Sequence, residues 1–161
     1  MSKSHELSNF IWTIADLLRG PYRAPQYERV MLPLVVLRRF DCVLASTKEA
    51  VLAKYAQLQG KHEGAALDRV LNQVSGQRFH NHSPLSFDKL RGDPDNAHLH
   101  LVSYINGFSE NVRKIFERFE FSHEIERMKE HNILFLVIKK FCEVDLHPST
   151  VDNIEMGLLF E

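Results

Sequence analysis

Histidines separated by a single residue are the first positions in this sequence whose types and spacing suggest chemistry. The chain contains nine histidines, and the closest pairs are His80-x-His82 and His98-x-His100. Side chains at i and i+2 share a face in an extended segment but not on a helix, so the first pair is the better candidate for metal ligation. Neither C-x-x-C nor H-E-x-x-H accompanies them. The pattern therefore favours solvated or hydrogen-bonded histidines, and it assigns no metal ligand.

Four arginines form the second candidate group, because a guanidinium can bond a phosphate or a carboxylate with two donors. Arg19 and Arg23 lie around a Gly-Pro turn, and Arg38 and Arg39 directly follow an apolar run. One interpretation is that they contact a phosphate or an acidic partner. The other is that they pair with acids of the same domain, such as Asp41. Arg23 is the strongest candidate for an external contact because no acid occurs in the four residues before it, and Arg38 is the weakest.

The charge distribution supports only a local polyanion contact. The whole chain has a net charge of −1 and a pI of about 6.8, whereas a domain that holds DNA alone is usually distinctly basic. Residues 1–40 carry six Lys and Arg against three acids, a local excess of +3. The sequence therefore predicts a weak contact with DNA-like ligands rather than strong autonomous binding.

The arginines flank a stretch, residues 11–44, that predicts two packed helices. Apolar residues at helical spacing end at Gly20-Pro21, and Ser8 is a candidate N-cap for this first helix. A second apolar segment resumes near Gln26, and it is apolar on nearly all sides, which indicates a buried central helix. Pro33 lies inside that segment, where we expect a kink or a helix start.

The rest of the chain predicts an all-α fold, a compact bundle of about seven to nine helices. At most a very short extended or β pair is expected near residues 79–87, where apolar residues alternate and Pro84 opposes a regular helix. A last helix is expected to begin at Ser149. Seven residues are predicted to be in the core: Trp12, Leu34, Leu37, Ile115, Phe116, Leu134 and Ile138.

Composition excludes several classes of protein. A chain of 161 residues with 44% hydrophobic and 25% charged residues suits one globular domain. No apolar run reaches the roughly 18 residues of a membrane span, and the first ten residues have no signal-peptide core. Cys42 and Cys142 occur in apolar helical contexts, which indicates reduced core residues of a cytoplasmic protein.

Several stretches, in order, resemble the amino-terminal region of the methylation subunit (HsdM) of type I restriction–modification systems. The first is Ile11-Trp12, Ala15 to Gly20, Tyr27, Leu32-Pro33-Leu34 and Leu37 to Leu44. The others are Tyr104 to Ser109 with Asn111-Val112-Arg113, then Asp145 to Pro148, and then Glu155-Met156-Gly157 with Phe160-Glu161. A single fragment would be weak, but four in register are specific.

The resemblance implies a parent protein that methylates adenine N6 in DNA with S-adenosylmethionine. The family binds this cofactor with a Gly-rich loop and places Asn-Pro-Pro-aromatic beside the flipped base; this chain contains neither G-x-G nor Asn-Pro-Pro. The resemblance therefore implies no catalytic and no cofactor-binding residue in these 161 residues, and we expect the chain alone not to be an enzyme. Residues 1–148 would form the helical domain, and 149–161 would begin a connection to a catalytic domain.

The implied partners are double-stranded DNA, a specificity subunit, a second methylation subunit and, in some systems, a restriction subunit. In such an assembly Arg19, Arg23, Arg38 and Arg39 would contact the DNA backbone or a partner subunit, which adds affinity but no sequence information. The alternative is a self-contained helical domain that binds protein and never touches nucleic acid. A neutral pI and apolar helix faces are compatible with both interpretations.

Overall fold

The computed structural model describes residues 3–58 and 60–152, and these residues form an all-α structure, as predicted. Eight α-helices are present in the described ranges, within the expected seven to nine. They are α1 (Lys3–Leu18), α2 (Glu28–Leu44), α3 (Lys48–Leu58), α4 (Gly64–Ser75), α5 (Ala97–Asn106), α6 (Glu110–Arg118), α7 (Phe121–Glu130) and α8 (Leu134–Cys142). Short 3-10 helices occur at Ala24–Gln26, Ala45–Thr47, Asp88–Gly92 and Pro94–Asn96.

No strand forms in these ranges, and the predicted extended segment makes one isolated bridge, between Asn81 and Phe108. The segment from 78 to 83, which we call the bridging segment, is held by backbone bonds to the α5–α6 connection. His82 N donates to Gly107 O at 2.8 Å, and Ser109 N donates to His80 O at 3.0 Å. The expectation of at most a very short β pair is therefore confirmed.

Helix α2 lies at the centre of the main core. Val30, Leu34, Val35 and Leu37 are fully buried, and α2 packs against α7 and α8 while α1 packs against α8. Burying each such side chain contributes about 1.5–3 kcal/mol relative to leaving it in water. The prediction that this segment forms a buried central helix is therefore confirmed.

The main core draws on α1, α2 and α5–α8, which we call the body. Helices α3 and α4, which we call the arm, have a separate small core of Val51, Leu58 and Leu71. Tyr55, Leu67, Val70 and Val74 pack around it. The arm is therefore a distinct packing unit of the same chain.

The core prediction is right for Leu34, Leu37, Phe116, Leu134 and Ile138, all of which are buried. It is wrong for Trp12, which is 67% exposed. Trp12 lies two residues from both Phe10 and Ile14, so it is rotated roughly 200° from the buried face of α1. Ile115 is only half-buried because the buried stripe of α6 passes through Val112 and Phe116.

One boundary prediction is also wrong, and for Pro33 one of the two expected alternatives, a helix start, is excluded. Helix α1 begins at Lys3, so Ser8 lies inside it and is not the N-cap; Leu7, which is 5% exposed, extends the buried face towards the amino terminus. Helix α2 begins at Glu28 and continues through Pro33, so Pro33 is not a helix start. The lost backbone donor is offset by the burial of the side chains on both sides of it.

The predicted last helix lies mostly outside the described residues. The structure shows a turn after His147, whose carbonyl accepts bonds from Thr150 N at 2.8 Å and Val151 N at 2.9 Å. Residues 153–161 are outside the described ranges, so the division of the chain at residue 148 stays a prediction.

Candidate interaction site

The turn after α1, residues 19–23, carries two of the four predicted arginines and is held rigidly against α7. Gly20 has φ +106°, a conformation that a residue with a Cβ rarely adopts. Tyr22 N donates to Leu18 O at 2.9 Å, and the Tyr22 side chain is only 2% exposed. The turn is therefore ordered by its own backbone and by one buried ring.

Tyr22 is anchored by charged groups of α7. Its hydroxyl donates to Glu124 Oε1 at 3.0 Å, and the Arg127 guanidinium lies 4.5 Å from the centre of its ring. Arg127 Nη2 also donates to Pro21 O at 2.6 Å. Burial and the bond to the Glu124 carboxylate raise the pKa of Tyr22, so the phenol remains a donor and the turn stays attached.

Arg23 lies at the exposed end of this turn, and its guanidinium has no acidic partner within 4 Å among the residues that the structure describes. Its backbone nitrogen donates to Gln26 Oε1 at 3.0 Å, which fixes the main chain and leaves the side chain in solvent. Arg19 is also exposed but pairs with Asp16 at 3.0 Å. An exposed pair of this kind contributes little to stability, so both arginines are accessible to a partner.

Arg38 is placed differently, at the rim of the core. Its Nη1 pairs with Asp41 Oδ2 at 3.1 Å, with both side chains at most 15% exposed. Its Nε donates to Val144 O at 3.0 Å, and its Nη2 to Cys142 O at 3.3 Å. All three guanidinium nitrogens of Arg38 therefore have partners inside the domain. This agrees with the second interpretation of the sequence, in which the arginine pairs with an acid of its own domain.

Arg39 also bonds the chain that follows α8. Its Nη1 donates to Leu146 O at 3.0 Å and to Val151 O at 2.7 Å. Together with Arg38 it connects α2 to residues 142–151. The structure thus separates the four predicted arginines into an exposed pair, Arg19 and Arg23, and a pair engaged within the domain.

Sequence reasoning missed the central role of Asp41 in this engaged group. Asp41 Oδ1 accepts bonds from the Tyr104 hydroxyl at 2.7 Å and from Phe87 N at 3.2 Å, and Oδ2 pairs with Arg38. Complete burial and the nearby Asp41 carboxylate raise the pKa of Tyr104. The stretches around residues 38–41, 104–109 and 145–148 therefore meet in space. All three stretches belong to those that resemble the family in the sequence. A single sequence, however, gives no information on which stretches are in contact.

The first histidine pair is hydrogen-bonded, with His80 fully buried and His82 half-buried. Asn72 Nδ2 donates to Arg78 O, so Asn72 Oδ1 faces His80 and accepts from His80 Nδ1 at 2.9 Å. His80 Nε2 then accepts from His82 Nδ1 at 3.2 Å. Burial, followed by the neighbouring His82, lowers the pKa of His80 to about 4, and burial also lowers the pKa of His82. Both rings are therefore neutral at pH 7.

The second histidine pair does not act as a unit. His100 Nε2 lies 3.0 Å from Asp93 Oδ2, and the helical spacing on α5 turns His98 away from it. Within residues 3–58 and 60–152, no group of three or more His, Cys, Asp or Glu is arranged to hold a metal ion. No helix in the same ranges is both long and apolar enough to cross a membrane.

A sequence model of the HsdM N-terminal domain matches residues 7–141, which cover most of α1, all of α2 to α7 and nearly all of α8. The search of curated proteins finds no match.

Proposed function

Because the chain belongs to the HsdM N-terminal domain family, we propose that it serves as the DNA-clamping and assembly domain of a type I methylation subunit. In this role the exposed turn at residues 19–23 contacts the DNA backbone or a partner subunit. The match over residues 7–141 is the observation that supports the family context, and the accessible guanidinium of Arg23 supports the contact.

The chemistry is assigned to another part of the complete subunit. The chain has no G-x-G and no Asn-Pro-Pro, so S-adenosylmethionine and the target adenine would be bound elsewhere. The partners of the proposed assembly are a specificity subunit, a second methylation subunit and double-stranded DNA, with a restriction subunit where the system has one. This domain would contribute phosphate contacts, which position a protein on DNA without reading sequence.

The geometry of the turn suits a phosphate contact. A phosphate contact gains most from a side chain that is already positioned, because less freedom is lost on binding. The Tyr22 anchor and the left-handed Gly20 hold the Arg23 backbone in place, while the guanidinium stays free to bond two phosphate oxygens. Arg38 and Arg39 do not meet this condition, since their donors are used by backbone carbonyls and Asp41.

The first prediction tests this contact in the complete subunit assembled with its partners. Arg23→Ala should leave the thermal midpoint unchanged, because the Arg23 side chain is exposed and does not stabilise the fold. It should weaken DNA binding equally for all sequences and reduce the slope of log affinity against log salt by about one. DNA affinity at three or more salt concentrations, together with a melting curve, measures both quantities.

Arg69→Ala is the matched control, because Arg69 is an exposed arginine on α4 and its loss changes the net charge equally. The control should change the salt slope much less. A lower thermal midpoint with an unchanged salt slope in Arg23→Ala would show that Arg23 is structural. Equal slopes in the two variants would show that only the total charge matters, and either result would reject the proposed contact.

A further inference from the structure

The bridging segment, residues 78–83, makes polar contacts with both the arm and the body, and Asp68 of α4 adds a direct bond to Glu110 N of α6. Because the arm has a separate small core, its attachment does not depend on a continuous hydrophobic interior. Polar contacts are sensitive to the protonation of their members in a way that apolar packing is not. The residues that make these contacts therefore decide how firmly the arm is held.

On the arm side, four side chains bind the bridging segment or the residues next to it. Lys48 Nζ donates to Asn81 Oδ1 at 2.8 Å and to Leu85 O at 3.0 Å. The ring of Tyr55 stacks on that of His82, with centroids 4.2 Å apart. Asn72 and Ser75 contact His80 and Phe79, respectively, at 2.9 and 2.8 Å.

On the body side, the bridging segment is bound more firmly. Asn81 Nδ2 donates to Tyr104 O at 2.9 Å, and the Phe79 ring packs on Phe40 with centroids 4.4 Å apart. These contacts add to the two backbone bonds to the α5–α6 connection. When the attachment fails, the bridging segment should therefore stay with the body while the arm leaves.

His80 lies in the middle of this attachment and is fully buried. A proton on His80 Nε2 would face the proton that His82 carries on Nδ1, across the 3.2 Å now spanned by one hydrogen bond. Charged groups from three elements face the pair. Lys48 at the start of α3 and Arg113 on α6 oppose a positive charge. Asp68 on α4 favours one, but its Oδ1 is 3.9 Å from His80 Nε2 and its Oδ2 accepts from Glu110 N.

We propose that helices α3 and α4 form an arm that detaches from the body as one unit when the His80–His82 pair takes up a proton. Detachment exposes both rings to water, where an added charge is solvated. The attached state holds the pair neutral, so each proton taken up favours the open state. The arm is thus a conformational device of the fold, controlled by two adjacent histidines.

The direction and size of the effect follow from proton linkage. The pKa of His80 is about 4 in the attached state and returns towards the ordinary value of about 6.5 when the ring is exposed. The stability of the attachment is therefore complete above pH 6.5 and is lost as the pH falls from 6.5 towards 4. His80 alone should raise the opening equilibrium constant roughly 30-fold between pH 7.5 and pH 5.

Hydrogen exchange on the whole 161-residue chain tests this proposal, with rates corrected for the intrinsic effect of pH on amide exchange. The amides of α3 and α4 should lose about 30-fold of their protection at pH 5 relative to pH 7.5. The amides of α2 and α8 should keep theirs. His80→Gln should reduce the pH effect in the arm to within about threefold, because the main titrating group is gone.

His62→Gln is the control, since His62 is an exposed histidine in the connection between α3 and α4, and it should keep the full effect. Equal protection of the arm at the two pH values would overturn the proposal. Equal loss of protection in the arm and the body would also overturn it, as would a full pH effect in His80→Gln.

If His80→Gln does not fold, an NMR titration of the histidines in the unmodified chain tests the proposal instead. A His80 midpoint near 4 to 5 accompanied by shifts in α3 and α4 supports the proposal, and a midpoint at 6.5 rejects it.

Discussion

At the scale of single residues, the two pairs of arginines illustrate that the location of a charged side chain, near the core or in an exposed turn, decides its role. Arg38 and Arg39 follow a buried run and face the chain after α8, where backbone carbonyls are available. Arg23 lies at the end of a turn and faces solvent. A guanidinium near a core takes internal partners because an unpaired charge there is costly.

The second prediction concerns Arg38. Arg38→Ala should lower the free energy of unfolding by about 3 kcal/mol, because it leaves the Asp41 carboxylate without its cation and two backbone carbonyls without a donor. This corresponds to a fall of roughly 6–12 °C in the thermal midpoint of a domain of this size. Differential scanning calorimetry of the 161-residue chain measures it.

Arg38→Lys is the matched control, because it keeps the charge but has one nitrogen in place of the three that bond Asp41, Val144 O and Cys142 O. Its midpoint should fall between those of the unchanged protein and Arg38→Ala. A midpoint unchanged in both variants would show that the bonds seen at Arg38 contribute nothing to stability.

Residue roles were predictable only where local pattern decides them. The apolar spacing of α2 predicts the burial of Leu34 and Leu37, and the missing acid before Arg23 predicts an unpaired side chain. The spacing did not reveal that Trp12 faces solvent, because aromatic residues of an amphipathic helix are usually buried. Nor did it reveal the bonds to Asp41 from Phe87 N and the Tyr104 hydroxyl, since these residues are separated from Asp41 by 46 and 63 positions.

At the scale of elements, the connection between α5 and α6 positions the bridging segment by close backbone approach. Gly107 follows α5, and a Cβ at this position would lie 2.6 Å from Ser83 Cβ and 2.8 Å from Ser83 N. Its backbone is in the right-handed region, with φ −79°, so the restriction comes from this contact and not from the conformation. This role of Gly107 depends on the tertiary structure, because Ser83 is 24 positions away in the sequence.

The third prediction follows from this contact. Gly107→Ala should lower the free energy of unfolding by about 1–3 kcal/mol, because the added methyl group must displace backbone of the bridging segment. Urea denaturation followed by circular dichroism measures the loss. Gly92→Ala is the control, since nothing lies within 4 Å of its added Cβ, and it should change stability by less than about 0.5 kcal/mol. Equal effects of the two substitutions would show that the approach of Ser83 is not restrictive.

Helix positions were largely predictable from the sequence, whereas helix ends were less so. The Gly-Pro turn ends α1 as predicted, and the left-handed Gly76 ends α4. Helix α7 instead begins after Glu120, a residue other than glycine at positive φ, and no sequence rule favours that. Packing of Phe119 and Phe121 on Phe116 accompanies this tight connection.

At the scale of the whole molecule, residues 3–58 and 60–152 form two cores, and only the larger one was predicted. The apolar period of α3 and α4 resembles that of the other helices, so nothing in it separates the arm from the body. The arm and the body have separate cores because α3 and α4 pack on each other. Which helices pack together is known only from the three-dimensional structure. The all-α class, by contrast, follows directly from period and composition.

The fourth prediction concerns the cofactor of the family. Titration calorimetry of the 161-residue chain with S-adenosylmethionine should give no binding heat, because the glycine-rich loop that would cradle the cofactor is missing from its sequence. The complete subunit, measured in the same buffer, is the positive control. Saturable binding by the chain alone, or methyl transfer to adenine by it, would contradict the assignment of the chemistry to another part of the subunit.

The bonds from Arg38 and Arg39 to the chain after α8 have a mechanical consequence. A pull on Asp152 would be carried to α2 by hydrogen bonds to the carbonyls of Cys142, Val144, Leu146 and Val151. These bonds lie along a short stretch and share the load, so the force bypasses the last turn of α8 and reaches the centre of the main core. Tension applied at Asp152 would therefore act on α2 as well as on α8.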